Sequence, residues 1–436
     1  MLGTTTKMLG KTTQNLGSST RSIFQCRSQR RHVFKFRALS LVVAGAALLA
    51  SLPAQAGGTI NIGPDQSVSV GFGLRSSFTS AEKGAPDGSS RSEDFSLDSI
   101  RLYMGASLKK TIKATFNTEK TADNKVQVID GIAQFEPMPE FNVWAGRMLP
   151  PSDRSNLDGP YYLLAWGYPG LVSQYPSYAV GRDNGILAWG NINKKAVYSI
   201  GAFEGHNNVA TGSSDSGNLL YAGRLAINLL DAELAPAYYT GSTYFGAADI
   251  FTVGLVFQTQ TDGVGVAGDK GNYTGYNIDV LYENKDTGSG SLTLEGAAYK
   301  YDTDDKVDAN VPISTANSAS FYSLPSSDNS SGVGGLKQGK AYLLGAAYLF
   351  PQQVGWGKFQ PYARYQKFDQ DKITVGTATA LFGGKFEQYD IGVNYVIAGP
   401  NAKISATYTE FKPNDDDPAA SNDKTNQFAL GVQLQF

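Results

Sequence analysis

The sequence predicts an all-β fold, a transmembrane antiparallel β-barrel of 16 strands whose long third outer loop folds into its lumen. Three observations carry this: period-two alternation from Gln66 to the last residue, segments of about 9 to 13 residues, and short turns alternating with long Ser/Asp/Gly-rich loops. The 436 residues have a mean hydropathy of −0.24, too polar for a bundle of membrane helices, and their 24 tyrosines and 22 phenylalanines are too many and too patterned for disorder.

The N-terminal part reads as a leader. All 39 acidic residues lie after position 56, whereas eight basic residues (Lys7, Lys11, Arg21, Arg27, Arg30, Arg31, Lys35, Arg37) precede it. The apolar run Ala38 to Leu52 that follows them has 15 residues, short of the roughly 20 that a spanning helix needs. It ends in Ala54-Gln55-Ala56, with small residues at the two positions a signal peptidase reads. Residues 1–56 are therefore expected to be a signal peptide cut between Ala56 and Gly57. That leaves 57–436 as one membrane domain with 29 basic and 39 acidic residues, a net charge of −10. Met8 offers a second start. Arg30-Arg31 with Phe34 and Lys35 also resembles a twin-arginine signal, but that route carries folded cargo and a barrel inserts from an unfolded state. A basic arm joined directly to an apolar run and a cleavage site is not a nucleic-acid arm, so no nucleic-acid partner is expected.

The same cut removes Cys26 and His32 and leaves His206 as the last histidine. Disulfides, thiolate or multi-histidine metal sites and histidine-based catalysis are thereby made improbable, and no metal or cofactor is expected.

The strands are placed at 66–78, 95–108, 111–119, 126–136, 140–148, 181–190, 195–205 and 218–230, then at 249–260, 272–284, 291–301, 340–350, 358–369, 385–397, 402–411 and 426–436. In the last, Phe428, Leu430, Val432, Leu434 and Phe436 share one face, and Gln427, Ala429, Gly431, Gln433 and Gln435 the other. The same greasy face recurs at Ile112, Ala114 and Phe116, at Phe251 to Phe257, at Tyr276 to Tyr282 and at Tyr389 to Ile397. A soluble sandwich alternates too; strand length, aromatic residues near strand ends and loop asymmetry decide for lipid. Outer loops fall at 79–94, 120–125, 149–180, 206–217, 261–271, 302–339, 370–384 and 412–425. Lys109-Lys110, Pro137-Met138-Pro139 and Gly399-Pro400-Asn401 make inner turns. Ala235 to Tyr244 could be a further strand, but an odd total would put the 38-residue segment 302–339 on the inner side, so 231–248 is taken as one long inner connection. Hydrocarbon offers backbone groups no partners, so a sheet in lipid must close, and sixteen strands enclose more space than side chains fill.

Strand parity puts Arg101, Lys113, Arg224, Arg364 and Lys403 on the polar face with Asp279, Glu295 and Asp390, and puts Arg75 and Arg182 at its ends. A charge facing lipid costs roughly 2–4 kcal/mol at the midplane, so these are expected to line water, either setting up a transverse field or simply pairing with neighbours. Arg147 is ambiguous: strict alternation from Phe141, Val143 and Ala145 would place it outward at the membrane rim. The loop 149–180, rich in proline and aromatic residues, is stiff and partly apolar. It either narrows the lumen, with Asp153, Arg154 and Asp158 at the rim, or caps the barrel or meets another subunit. Asp415-Asp416-Asp417 and Asp304-Asp305 could hold divalent cations that bridge lipopolysaccharide, although a solvated loop explains them as well.

With the leader, the alternating strands and the terminal Phe436, the chain resembles Gram-negative general porins, and in detail the phosphate-selective porin O and P superfamily. The stretches that carry this are Val128-Ile129-Asp130-Gly131-Ile132-Ala133-Gln134-Phe135, Val143-Trp144-Ala145-Gly146-Arg147-Met148-Leu149-Pro150, and Ser242-Thr243-Tyr244-Phe245-Gly246 leading to Asp249-Ile250-Phe251-Thr252. The resemblance implies an outer-membrane location, a homotrimer, a third loop in the pore and a terminal aromatic, Phe436, read by the barrel-assembly machinery. Phosphate-binding members carry a ladder of arginines and lysines; here the inward basic residues are scattered among acidic ones, which argues against phosphate specificity. The expected function is passive diffusion of small hydrophilic solutes across the lipid and lipopolysaccharide of the outer membrane. The alternatives are an adhesin using the 302–339 loop and an enzyme depending on His206.

Overall fold

The computed structural model describes residues 57–120, 125–174, 181–205, 217–266, 268–306, 336–375, 380–416 and 422–436. Its strands are β1 (Gly57–Asn61), β2 (Ser67–Ala81), β3 (Ser92–Lys109), β4 (Ile112–Lys120), β5 (Val126–Met138), β6 (Phe141–Met148), β7 (Asp183–Ile192), β8 (Ala196–Phe203) and β9 (Leu220–Asn228). They continue as β10 (Ile250–Val266), β11 (Asp269–Asn284), β12 (Ser291–Asp302), β13 (Gly339–Leu349), β14 (Lys358–Val375), β15 (Ala380–Val396), β16 (Ala402–Asp415) and β17 (Thr425–Gln435). Each of β2 to β17 pairs antiparallel with its sequence neighbour, and β17 closes on β2 from Gln427↔Ala81 to Gln435↔Gly73. Sixteen strands therefore make a closed barrel, and the sixteen predicted segments are its strands. No helix among the described residues is long and apolar enough to cross a membrane.

Two details differ from expectation. Gly57–Asn61 adds a short strand, paired with β2 from Gly57↔Gly71 to Asn61↔Ser67. It continues along the edge of β2 where β17 ends: Phe436 exchanges two backbone hydrogen bonds with Phe72, at 2.7 and 2.9 Å. A five-residue glycine-led segment shows too little alternation to be read as a strand, and only its pairing reveals it. The segments 261–271 and 370–384, expected as loops, largely continue the β10–β11 and β14–β15 hairpins past irregularities after Gln260 and Gln370. Ala235–Tyr244 is not a strand, in keeping with its reading as part of an inner connection.

Alternation is complete where lipid demands it. On β17, Phe428, Leu430, Val432 and Leu434 are exposed while Gln427, Ala429, Gln433 and Gln435 are buried. Outward aromatic residues form two rows: Phe251 and Phe257, Tyr276 and Tyr282, Tyr342 and Tyr348, Phe359 and Tyr365, Tyr389 and Tyr395 each stand six residues apart on one strand, roughly 20 Å along it at about 3.3 Å per residue. Rings meet across strands at 6.1 Å (Phe251–Tyr282), 5.3 Å (Phe257–Tyr276), 5.1 Å (Phe359–Tyr395) and 4.9 Å (Tyr365–Tyr389). Amphipathic rings at these two heights suit the two membrane interfaces.

Candidate functional site

The inner face of the barrel is polar, and the connection after β6 lies against it. Residues 149–174 are buried almost throughout, although a connecting segment normally runs over the surface, because its backbone groups need partners. Here the wall supplies them. Gln258 Nε2 donates to Pro151 O (2.9 Å), Arg224 to Ser152 O (3.2 Å), Gln433 Nε2 to Tyr161 O (2.9 Å) and Lys403 Nζ to Leu163 O (2.9 Å). Further along, Asn394 donates to Leu164 O (2.9 Å), Arg75 to Trp166 O (2.5 Å), Arg364 to Gly167 O (2.8 Å) and Tyr301 Oη to Val172 O (2.9 Å). These donors come from eight strands around the barrel. Glycines on the wall admit the bulky side chains: a Cβ at Gly431 would stand 2.4 Å from the Trp166 ring, and one at Gly73 would stand 2.8 Å from Tyr161 Oη. The Arg75 guanidinium stacks 3.9 Å from the Trp166 ring centroid.

One helical turn, α1 (Arg154–Asp158), is capped by Asp153, which accepts from Ser155 N at 3.1 Å and from Ser173 Oγ at 2.9 Å. Burial pushes the Asp153 carboxyl up to about 6. Arg154 forks onto Glu233 at 2.7 and 2.8 Å, donates to Gly241 O at 2.9 Å and lies 3.4 Å from Asp279. Burial alone would raise Glu233, but Arg154 outweighs it and holds that carboxyl below its usual range. Asp158 accepts from Thr240 Oγ1 (2.6 Å) and Ser242 Oγ (2.5 Å), and burial, then the neighbouring Glu295, pushes it well up.

The residues assigned to the polar face all lie on it. Arg101 pairs with Glu119 (2.6 Å), Arg224 with Asp279 (2.5 Å) and Arg364 with Asp390 (2.9 Å), all buried. Lys403 is buried against the Leu163 carbonyl, and Glu295 accepts from Ser242 Oγ at 3.1 Å. Lys113, paired with Glu136 at 2.6 Å, keeps substantial exposure. With that exception these groups are not open to water as expected, because the docked loop covers them. Arg147 is half-buried and donates to Asn184 Oδ1 (3.0 Å) and Val128 O (3.1 Å). Phe436 is exposed and packs its ring 5.8 Å from Phe72. Gly57 begins β1, while Ala56, His206 and most of the 302–339 loop lie outside the described residues.

Sequence reasoning missed Glu233, Tyr238, Thr240, Ser242 and Thr243, all on the inner connection between β9 and β10. For all but Glu233 the signal was APAYYTGSTY itself, too aromatic for a solvated turn. Glu119 and Asp130, the partners of Arg101 (2.6 Å) and Arg182 (3.3 Å), were also missed.

Comparison with known proteins agrees with this architecture. The sequence matches the family described as phosphate-selective porin O and P over residues 68–436. No curated protein matches it. The fold is similar to that of an anion-selective porin from Comamonas acidovorans, with 14% identity, TM-score 0.53, 85% of this chain and 100% of the other covered. It is also similar to OprB of Pseudomonas putida (9%, TM-score 0.54, 85% and 94% covered) and to the trimer form of OmpT of Vibrio cholerae (13%, TM-score 0.50, 85% and 100% covered). With a closed 16-strand barrel and a family match across most of its length, the chain belongs to the phosphate-selective porin O and P family and is an outer-membrane channel for passive diffusion.

Proposed function

We propose that the channel passes small hydrophilic solutes and ions by size, with little preference for phosphate, and that residues 149–174 set its width. The observation that carries this is the fate of the inward cations. Arg101, Arg224 and Arg364 are paired with carboxylates, while Arg75 and Lys403 donate to carbonyls of the loop. A ladder that draws phosphate through a pore needs cations that are neither paired with carboxylates nor turned onto the loop's own backbone. No catalytic step is assigned to the chain.

The protein acts as a homotrimer in the outer membrane, embedded in lipid and lipopolysaccharide and inserted by the barrel-assembly machinery through Phe436. The trimer form of the structurally similar OmpT supports this assembly. Export uses residues 1–56 as a signal peptide cut between Ala56 and Gly57.

Liposome swelling and current block test the reading together. Uncharged sugars should enter proteoliposomes at rates that fall steeply with size, and phosphate should leave a chloride current unchanged until it is present at concentrations similar to chloride. Saturable block of that current by micromolar phosphate would overturn the proposal.

A further inference from the structure

The inner connection between β9 and β10 occupies 229–249, whereas two-residue loops suffice for a hairpin. It does not hang outside the barrel. Tyr238 is buried with its ring 5.4 Å from Trp144 of β6 and 6.3 Å from Trp189 of β7, and its hydroxyl donates to Leu149 O at 2.6 Å. Farther along the segment, Thr243 Oγ1 and Tyr244 N both donate to Glu283 of β11 at 2.9 Å, and Gly246 N donates to the same carboxylate at 2.7 Å. Ser242 reaches Glu295 of β12. The segment thus bridges from the β6–β7 wall to the β11–β12 wall.

Midway it meets the outer loop. Ser242 N donates to Tyr162 O at 3.1 Å, Thr240 and Ser242 hold Asp158, and Glu233 takes the fork of Arg154 while accepting from Tyr244 Oη at 2.6 Å. Ala237 (φ 56°) and Phe245 (φ 55°) sit in the left-handed region without being glycine, a conformation that persists only where the surroundings impose it.

Two recesses border this meeting point. One is lined by Asn191, Ser199, Arg224, Asn228, Glu233 and Thr240, among others. The other is lined by Asp153, Gln174, Gln258, Asn277 and Tyr301, among others. In the first, Glu233 is bound by Arg154, the neighbour of Asp153, and Arg224 is paired with Asp279.

We infer that the inner connection 231–248 is the inner half of the channel's constriction, and that Glu233, through its fork with Arg154, latches it to the outer loop. Current through the barrel is then set by two segments entering from opposite rims, with the latch holding them together. This goes beyond the proposed function, which needs only the outer loop, and it rests on the channel reading.

The test is single-channel conductance of the purified mature protein beside two variants. Glu233→Gln removes the charge from the latch; a second variant replaces 235–244 with a short Gly/Ser bridge. Both should conduct in larger steps than wild type, severalfold for the bridge, with Glu233→Gln switching between the wild-type level and the larger one. Bridge and wild-type steps of equal size, with the variant folded as judged by heat-modifiable mobility, would overturn the inference while leaving the channel reading intact. Silence of every form would remove the channel reading as well. Should the bridge variant misfold, Ala235→Cys keeps the question open to test, because Cys26 is the only native cysteine. A charged thiol reagent added from the inner side should cut its current, and complete modification without change in current would contradict the latch.

Discussion

Asp153 caps α1 from a buried position, and its carboxyl, raised by burial to about 6, gives the loop a pH dependence whose sign is fixed. An unfolded aspartate titrates near about 3.9, so between about pH 4 and about pH 6 the docked loop holds a proton that the unfolded chain does not. The docked state therefore loses stability as pH rises through that window, by on the order of 3 kcal/mol at most, and is firmest on its acid side. Channel current should be smaller and quieter at about pH 5 than at about pH 7, and Asp153→Asn should flatten the change; current recorded across that range checks it. The buried Arg364–Asp390 pair yields a second expectation. Asp390 also accepts from Thr409 at 2.7 Å and Gln388 at 3.0 Å, so Asp390→Asn leaves Arg364 short of a counter-charge and should cost about 3–5 kcal/mol in urea unfolding of the refolded barrel. Adding Arg364→Met should recover part of that loss. At this scale the sequence told which face each charge occupies, because parity is a property of one strand. It did not tell what each charge touches. Glu119 meets Arg101 only through the β3–β4 register, and the partner of Lys403 is a backbone carbonyl more than 200 positions away.

Among the elements, the strands were legible because lipid on one side and polar groups on the other impose strict alternation. β1 escaped because five residues show too little of that pattern. The sequence marks 231–248 as a connection but not its course into the lumen, because non-periodic segments carry no signal for what they pack on. The docked loop depends on room as well as on hydrogen bonds. Gly431→Val would drive a side chain into the Trp166 ring, which a Cβ alone would approach to 2.4 Å. The expected result is a loss of about 1–3 kcal/mol by overpacking together with larger and noisier current steps; thermal unfolding and bilayer recording check the two parts.

For the whole molecule, closure and circumference decide what the protein can do. A sixteen-stranded wall leaves no sheet edge in lipid, and its diameter exceeds what inward side chains can fill. The chain uses that space for two segments that converge near Arg154 and Glu233 rather than for a continuous basic ladder. Because Arg101, Lys113, Arg224 and Arg364 are each paired with a carboxylate, selectivity between small anions and cations should be weak, and a salt gradient should produce a reversal potential well below the ideal value for either ion. A water-filled path through the closed barrel should show itself in single-channel recording of the purified, refolded mature protein in a planar bilayer. Discrete ohmic steps that grow with salt concentration are the predicted result. A folded, membrane-inserted barrel that shows no steps would contradict it.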